Sequence, residues 1–366
     1  MSNDPVLAFE KKFASKIGSD YAIAVNSGTS ALHAALEAVG VRHGEVIMPA
    51  LCPAMDAFAI IHAGAWPIFA DVDPQTQLIT LDAIKRVIGS RTKAVIAVAL
   101  HGLPVDIDPI VRHCKPLGIA VIEDNAQCYG GRYKDIFSGT KSDVGCFSFE
   151  RKKHFTTGSE GGMIVTSDKD LAIRARKFAG LGYRHMGADG GSTRVPEVHP
   201  GYLRFDTVGV NYRMAYAQAE IGLEKLKTAQ DAVWLRQELG YLWQHALGLQ
   251  LQPHNYDADN TFYSAAFVPQ FTANDTAGRL QAWQGFHRRF VEAGGDGFYA
   301  MPAIPYHEPA LADYKGLEPN PVAIDLQQRL VLFKTHYNLE EGRRQANILS
   351  EILKGAKEIH AEALQG

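Results

Sequence analysis

The chain has 366 residues, 46% of them apolar, which is enough to bury a large core and, by length alone, to build two or three domains. Its 37 lysines and arginines nearly balance 40 aspartates and glutamates, so the summed positive field that gathers nucleic acid or anionic membrane is excluded, and small molecules are the expected partners. Four cysteines without paired metal spacing, an acidic start with no apolar run behind it and no stretch of spanning length predict a cytoplasmic protein without leader, membrane segment or metal centre.

From residue 20 to 166 the pattern alternates. Apolar runs at 22–25, 46–48, 67–70, 94–100, 119–122, 144–149 and 162–165 predict strands, and segments such as 81–88 and 107–114 have the apolar spacing of helices. Strands that are apolar throughout imply a mainly parallel sheet covered on both faces, in which ligands gather beyond the strands' carboxyl ends. A helix is predicted over 168–181. The glycine-rich segment 182–201 follows, with Tyr183, Arg184, His185 and Arg194 as candidate contacts to a diphosphate or sugar; its plainer reading is a solvated loop. One long helix is predicted over 216–247, with Ala219, Ile221, Leu223, Leu226, Ala229 and Val233 on its apolar side, joining a domain of residues 1–230 to one of 231–366. The second domain mixes β-like runs such as 261–268 with helices at 277–293 and 342–355.

Three pieces carry chemistry. Lys153 lies beside other cations on a loop between apolar segments, where an amine that attacks a carbonyl is placed to lose its proton. Ser148 precedes it at a strand end, and Gly158, Gly161 and Gly162 after it let backbone approach a small ligand. Together they suggest a cofactor with an aldehyde and a phosphate. Asp124 ends the strand at 119–122; a carboxylate there would keep a pyridine nitrogen protonated, although taken alone it is equally an ordinary helix cap. Finally, a short apolar strand runs into Asn26-Ser27-Gly28-Thr29-Ser30 and then into helical spacing, a helix start that offers N–H groups and hydroxyls to a phosphate.

In order and spacing these pieces, with Phe9-Glu10 and Phe13, Gly64-Ala65, the run Phe69 to Asp73, Phe147-Ser148-Phe149, Gly161-Gly162 and Gly209 to Met214, resemble the sugar aminotransferase family named after DegT. That family lies within the fold type I, aspartate aminotransferase-like enzymes that use pyridoxal 5'-phosphate (PLP). The resemblance implies an α/β large domain with a mainly parallel seven-stranded sheet and a small α+β C-terminal domain. It implies that Lys153 bonds the cofactor's aldehyde, Asp124 pairs with the pyridine nitrogen and Gln127 lies near the ring hydroxyl. Ser27, Gly28, Thr29 and Ser148 would hold the cofactor at its phosphate, and Asn211 would reach the phosphate of a neighbouring subunit in a homodimer with its active sites at the interface. Tyr183, Arg184, His185 and His307, the last near Tyr299 in the Pro-rich segment 302–309, are the candidate substrate contacts. The implied reaction is amination of a keto-sugar, the resemblance pointing to a nucleotide-linked one, with an amino acid such as glutamate as donor.

Two departures from the family pattern stand out. Cys52-Pro53 occupies the place of an aromatic ring that stacks on the cofactor. Counting back from Glu160 puts His154, rather than Lys153, at the catalytic position, whereas counting forward from the strand before it gives Lys153. A histidine there would imply the family's sugar dehydratases, and a third reading is a PLP-binding regulator without turnover.

Overall fold

Asp4 starts the first helix. Its Oδ1 accepts from the N–H groups of Val6 and Leu7 at 2.9 and 3.2 Å, Pro5 takes the first turn, and Gly18 closes the helix in the left-handed conformation. In the computed structural model, which describes residues 4–190, 199–253, 256–271, 273, 275–314 and 319–358, this helix is α1 (Pro5–Ile17). It buries Phe9 and Phe13 among Phe147, Phe149, Phe155 and Tyr129, with Phe13 5.3 Å from Phe147 and Phe155 4.7 Å from Tyr129. Its buried Glu10 accepts from the Ala24 N–H at 2.8 Å and receives both guanidinium nitrogens of Arg176 at 3.0 and 2.9 Å. The helix is thereby fixed to the sheet by packing and by a fully answered charge.

The expected seven-stranded sheet is present. Its strands are β1 (Tyr21–Val25), β2 (Glu45–Pro49), β3 (Trp66–Ala70), β4 (Thr92–Val98), β5 (Ala120–Asp124), β8 (Val144–Ser148) and β9 (Gly162–Thr166), in the order β1-β9-β8-β5-β4-β2-β3. Pairs from β3 to β8 are parallel, and β9 runs antiparallel to both β8 and β1. The loop at 149–161 therefore turns the chain straight back at the carboxyl end of the sheet, and it carries Lys153. Helices α2 (Gly28–Val39), α3 (Met55–His62), α4 (Leu81–Val87), α5 (Ile107–Cys114) and α6 (Lys169–Ala179) connect and cover the strands, with α2 packed on α3 and α6. Two short strands that the sequence does not announce, β6 (Arg132–Tyr133) and β7 (Ile136–Phe137), pair with each other, and β6 pairs with β10 (Ala258–Asp259).

The predicted helix over 216–247 is two helices, α7 (Tyr216–Lys225) and α8 (Ala229–Leu247). Thr228 leaves helical geometry with φ −112° and ψ 10°. The break has a packing reason: α7 lies on α1, whereas α8 lies on α11 (Leu339–Glu358), so one continuous stripe does not serve both. Ile221, which the helical period puts on the inner side, is 40% exposed. Beyond α8 the chain forms an antiparallel sheet of β11 (Ala265–Phe267), β13 (Val331–Phe333) and β12 (Tyr299–Ala300), with helices α9 (Thr276–Glu292), α10 (Pro321–Arg329) and α11. Trp243 and Phe333 stack at 4.4 Å in the core between them. Only part of the predicted β run at 261–268 is a strand, because Phe262 takes φ +47° and the Thr261 N–H donates to the Gly102 carbonyl instead. Among the described residues all four cysteines are buried and unpaired, and no helix is long and apolar enough to cross a membrane.

Candidate active site

A cavity of about 590 Å3 opens beyond the carboxyl ends of β1, β4, β5 and β8. At one end lies the start of α2. Ser27 caps it, accepting from the Ser30 N–H at 3.1 Å, and so leaves the N–H groups of the first turn directed outward. Gly28 matters here because of proximity: a Cβ on it would sit 2.7 Å from the Cβ of Ser148. The absence of a side chain lets the helix terminus and the Ser148 hydroxyl share one spot. Ser27, Gly28, Thr29 and Ser148 all line this end.

At the base of the cavity stands Asp124, buried, with Oδ1 accepting from the Ala126 N–H at 2.9 Å. Burial raises its pKa, opposed by the Ala126 N–H and by the charge of Lys153. Asp56, in the first turn of α3, is equally buried, lines the cavity and is hydrogen-bonded to Asp124. Gln127 Oε1 accepts from the His101 N–H at 2.9 Å, which fixes the amide and leaves its nitrogen for a ligand acceptor.

Lys153 lines the opposite wall, its Nζ 4.5 Å from the centre of the Tyr263 ring. Its loop is anchored from behind. Arg236 on α8, buried, donates through Nη2 to the carbonyls of Lys152 and Lys153 at 2.7 and 3.3 Å and through Nη1 to the Tyr263 carbonyl at 3.0 Å. Burial lowers the pKa of this guanidinium to about 10. His154 takes no part in the wall: it is buried, its Nε2 lies 3.2 Å from the Thr261 carbonyl, and burial pushes its pKa well down.

The remaining wall comes from far along the chain. His101, with φ +61°, sets Nδ1 2.9 Å from Ser264 Oγ, and burial lowers its pKa to about 3, so it is a neutral imidazole. Tyr299 lies below two cations, the Nζ of Lys152 at 5.9 Å and that of Lys334 at 5.3 Å, and His336 lines the cavity with them. Pro53 and Met55 stand on the side where the sequence lacks the family's aromatic ring, with Cys52 buried outside the lining.

Comparison with known proteins decides the family. The sequence profile of the DegT/DnrJ/EryC1/StrS aminotransferase family matches residues 2–351. The chain belongs to that family.

Among its relatives, a GDP-perosamine synthase of Escherichia coli O157:H7 is 38% identical over 252 residues, 69% of this chain and 65% of that protein. A UDP-N-acetyl-3-dehydro-alpha-D-glucosamine 3-aminotransferase of Acidithiobacillus ferrooxidans is 30% identical over 95% of this chain and 88% of its own length. The structure of an aminotransferase from Psychrobacter cryohalolentis matches with TM-score 0.86 and 26% identity over 96% of this chain and 92% of that one. The matched region spans under two thirds of the first curated relatives, 65% and 59% of their lengths. The fold is that of the fold type I PLP-dependent aminotransferases.

The donor set of this DegT-family chain fits the cofactor of that fold: a helix terminus with hydroxyls for a phosphate, a buried carboxyl for a ring nitrogen and an amine for an aldehyde, all on one cavity. Of the residues singled out from sequence, Ser27, Gly28, Thr29, Asp124, Gln127, Ser148 and Lys153 come together. The others do not. Tyr183 packs on Phe205 at 4.9 Å, the Arg184 N–H donates to the Arg204 carbonyl, and His185 stacks near Tyr202, all outside the cavity of their own chain. His307 is exposed in a short turn and Asn211 is exposed beside Gly180. Arg194 lies outside the described residues. Asp56, His101, Arg236, Tyr263 and Ser264 belong to the site without having been foreseen; the sequence signal that could have found one of them is the carboxyl of Asp56 in the mostly apolar segment of α3.

Proposed function

We propose that this chain is a PLP-dependent aminotransferase that converts a keto-sugar, carried on a nucleotide, to an amino sugar with glutamate as donor. The observation that carries the reading is the common cavity of Lys153, Asp124 and the α2 terminus with Ser148. Names among the relatives, GDP-perosamine synthase and a UDP-linked 3-aminotransferase, support the substrate class.

When bound, the cofactor supplies an electron sink for the bond made and broken at the carbon bearing the amine. Lys153 Nζ takes a proton from the α-carbon of the donor and, in the second half of the cycle, delivers one to the sugar carbon. Asp124 holds the proton at the pyridine nitrogen, and the α2 N–H groups with Ser27, Thr29 and Ser148 hold the phosphate. Lys152 and Lys334 at the rim supply cations for the nucleotide's phosphates, while burial and the nearby Arg236 and Lys334 lower the pKa of His336 and leave it a neutral imidazole beside them. The dehydratase reading needs a histidine at the lysine's place, and the burial of His154 away from the cavity weighs against it. Lys153→Ala tests the reading: it should abolish both the visible absorbance of the bound cofactor and glutamate-dependent amination, while Lys152→Ala keeps the absorbance. Absorbance that survives Lys153→Ala sinks the assignment.

The same reading includes a cytoplasmic homodimer with shared sites and a division at residues 230 and 231, near the α7–α8 break. Asn211 is exposed and absent from its own cavity, and Val208 close by is 95% exposed, which supports a surface covered by a second copy. Mixing inactive Lys153→Ala chains with an inactive Asn211 variant should then restore activity. A fully active monomer would rule the shared site out.

A further inference from the structure

Two carboxyl groups are buried side by side at the base of the cavity, and the reading above uses only one. Asp56 is 1% exposed and Asp124 5%. Their hydrogen-bond partners differ. Asp124 accepts from the N–H of Ala126, two residues on, whereas Asp56 has only its own backbone N–H and no donor reaches its Oδ1. The groups facing Asp56 are Asp124 on β5, Lys153 on the loop after β8, Cys52 just before α3 and Cys146 on β8. Lys153 is the one cation among them, and it faces both acids. Two adjacent buried carboxylates do not both ionise against a single ammonium, so one holds a proton. The unpartnered Oδ1 of Asp56, whose backbone donor is only its own N–H, set against the Ala126 N–H on Asp124, assigns the charge to Asp124 and the proton to Asp56.

We propose that Asp56 is a neutral carboxylic acid at neutral pH that donates a hydrogen bond to Asp124 and thereby orients and keeps ionised the carboxylate that meets the cofactor's ring nitrogen. Asp56 is in this sense a positioning residue: it acts through Asp124. The proposal rests on the assignment of Asp124 to that nitrogen. The directions of the two acids agree with it, since Asp124 pushes the pKa of Asp56 further up while the hydrogen bond from Asp56 lowers that of Asp124. A neutral donor behind the carboxylate has a consequence for substitution: asparagine, which also donates, replaces Asp56, and alanine does not.

Two measurements test this. The first is infrared difference spectroscopy of the chain without cofactor, wild type minus Asp56→Asn, at neutral pH. A protonated-carboxyl C=O band present in wild type and missing in the variant is expected; a difference in the carboxylate bands alone overturns the proposal. The second is equilibrium binding of PLP and of its 1-deaza analogue, which lacks the ring nitrogen. Asp56→Asn should bind PLP within about twofold of wild type, and Asp56→Ala about tenfold more weakly or worse, with the analogue unaffected. Equal weakening of both ligands by Asp56→Ala, or a large loss in Asp56→Asn, overturns it. Should Asp56→Ala fail to fold, Asp56→Asn still decides in both measurements. If wild type itself binds the two ligands equally, the role of Asp124 fails and the positioning role with it, while the infrared result still reports where the proton sits.

Discussion

Glu123 and Asp124 are neighbours on β5, both buried, and alternation along a strand sends them to opposite faces of the sheet. Glu123 meets a complete set of donors: Oε2 accepts from the Gly139 N–H at 3.0 Å and Ser138 Oγ at 3.3 Å, and Oε1 from the Ser142 N–H at 3.3 Å. Asp124 has one backbone donor and the carboxyl of Asp56, and otherwise faces a cavity shared with Lys153. Both acids have pKa values raised by burial, so the shift does not separate them; the unspent lone pairs do. A buried acid whose partners are all internal fixes loops, and one left short of partners is available to a ligand.

That contrast can be broken by substitution. Asp124→Asn should cost about a thousandfold in turnover while the melting temperature hardly moves, because the loss is in stabilised charge at the reacting centre. A near-normal rate would mean that another group holds the nitrogen. Arg176→Ala should do the reverse. It strands Glu10 without its cation and should lower unfolding free energy in denaturant titrations by about 3–5 kcal/mol, with little change in turnover by the folded fraction. Glu123→Gln sharpens the comparison further: a loss of about 1–3 kcal/mol in stability with turnover within a few-fold of wild type is expected, and a rate loss matching that of Asp124→Asn would erase the distinction. Smallest, Gly28→Ala should weaken PLP binding about tenfold by pushing α2 off Ser148, the crowding being of order 1–3 kcal/mol.

Much of this was legible in the chain because it is local. Seven apolar runs, each ended by a turn or cap, define the strands of the sheet, and the residues at their carboxyl ends, Ser27, Asp124 and Ser148, share a site because parallel topology brings such ends together. The forward count from Ser148, which β8 fixes, leads to a lysine that lines the cavity. What stayed hidden depends on contacts between distant segments. Tyr263, Ser264, Tyr299, Lys334 and His336 reach the cavity only through the antiparallel sheet of β11, β13 and β12, whose strands are too short to leave a periodic pattern. His101 enters through a left-handed backbone turn that sequence does not announce. The continuous helix over 216–247 failed for a related reason: its apolar spacing persists across Thr228, but the two halves pack against different helices.

Loops that carry reacting groups ordinarily owe their position to whatever lies beneath them. Here the backbone under Lys153 is tied to α8, a helix separated from it by more than seventy residues of chain, through the guanidinium of Arg236. The origin of the lysine side chain is therefore stationary, and the travel of its nitrogen is confined to an arc set by a flexible four-carbon stem. An amine on such a tether can leave one carbon and reach the next without any rearrangement of the main chain. Cutting the tether, as Arg236→Leu would, should leave a lysine that still reacts but no longer returns to the same point in each cycle.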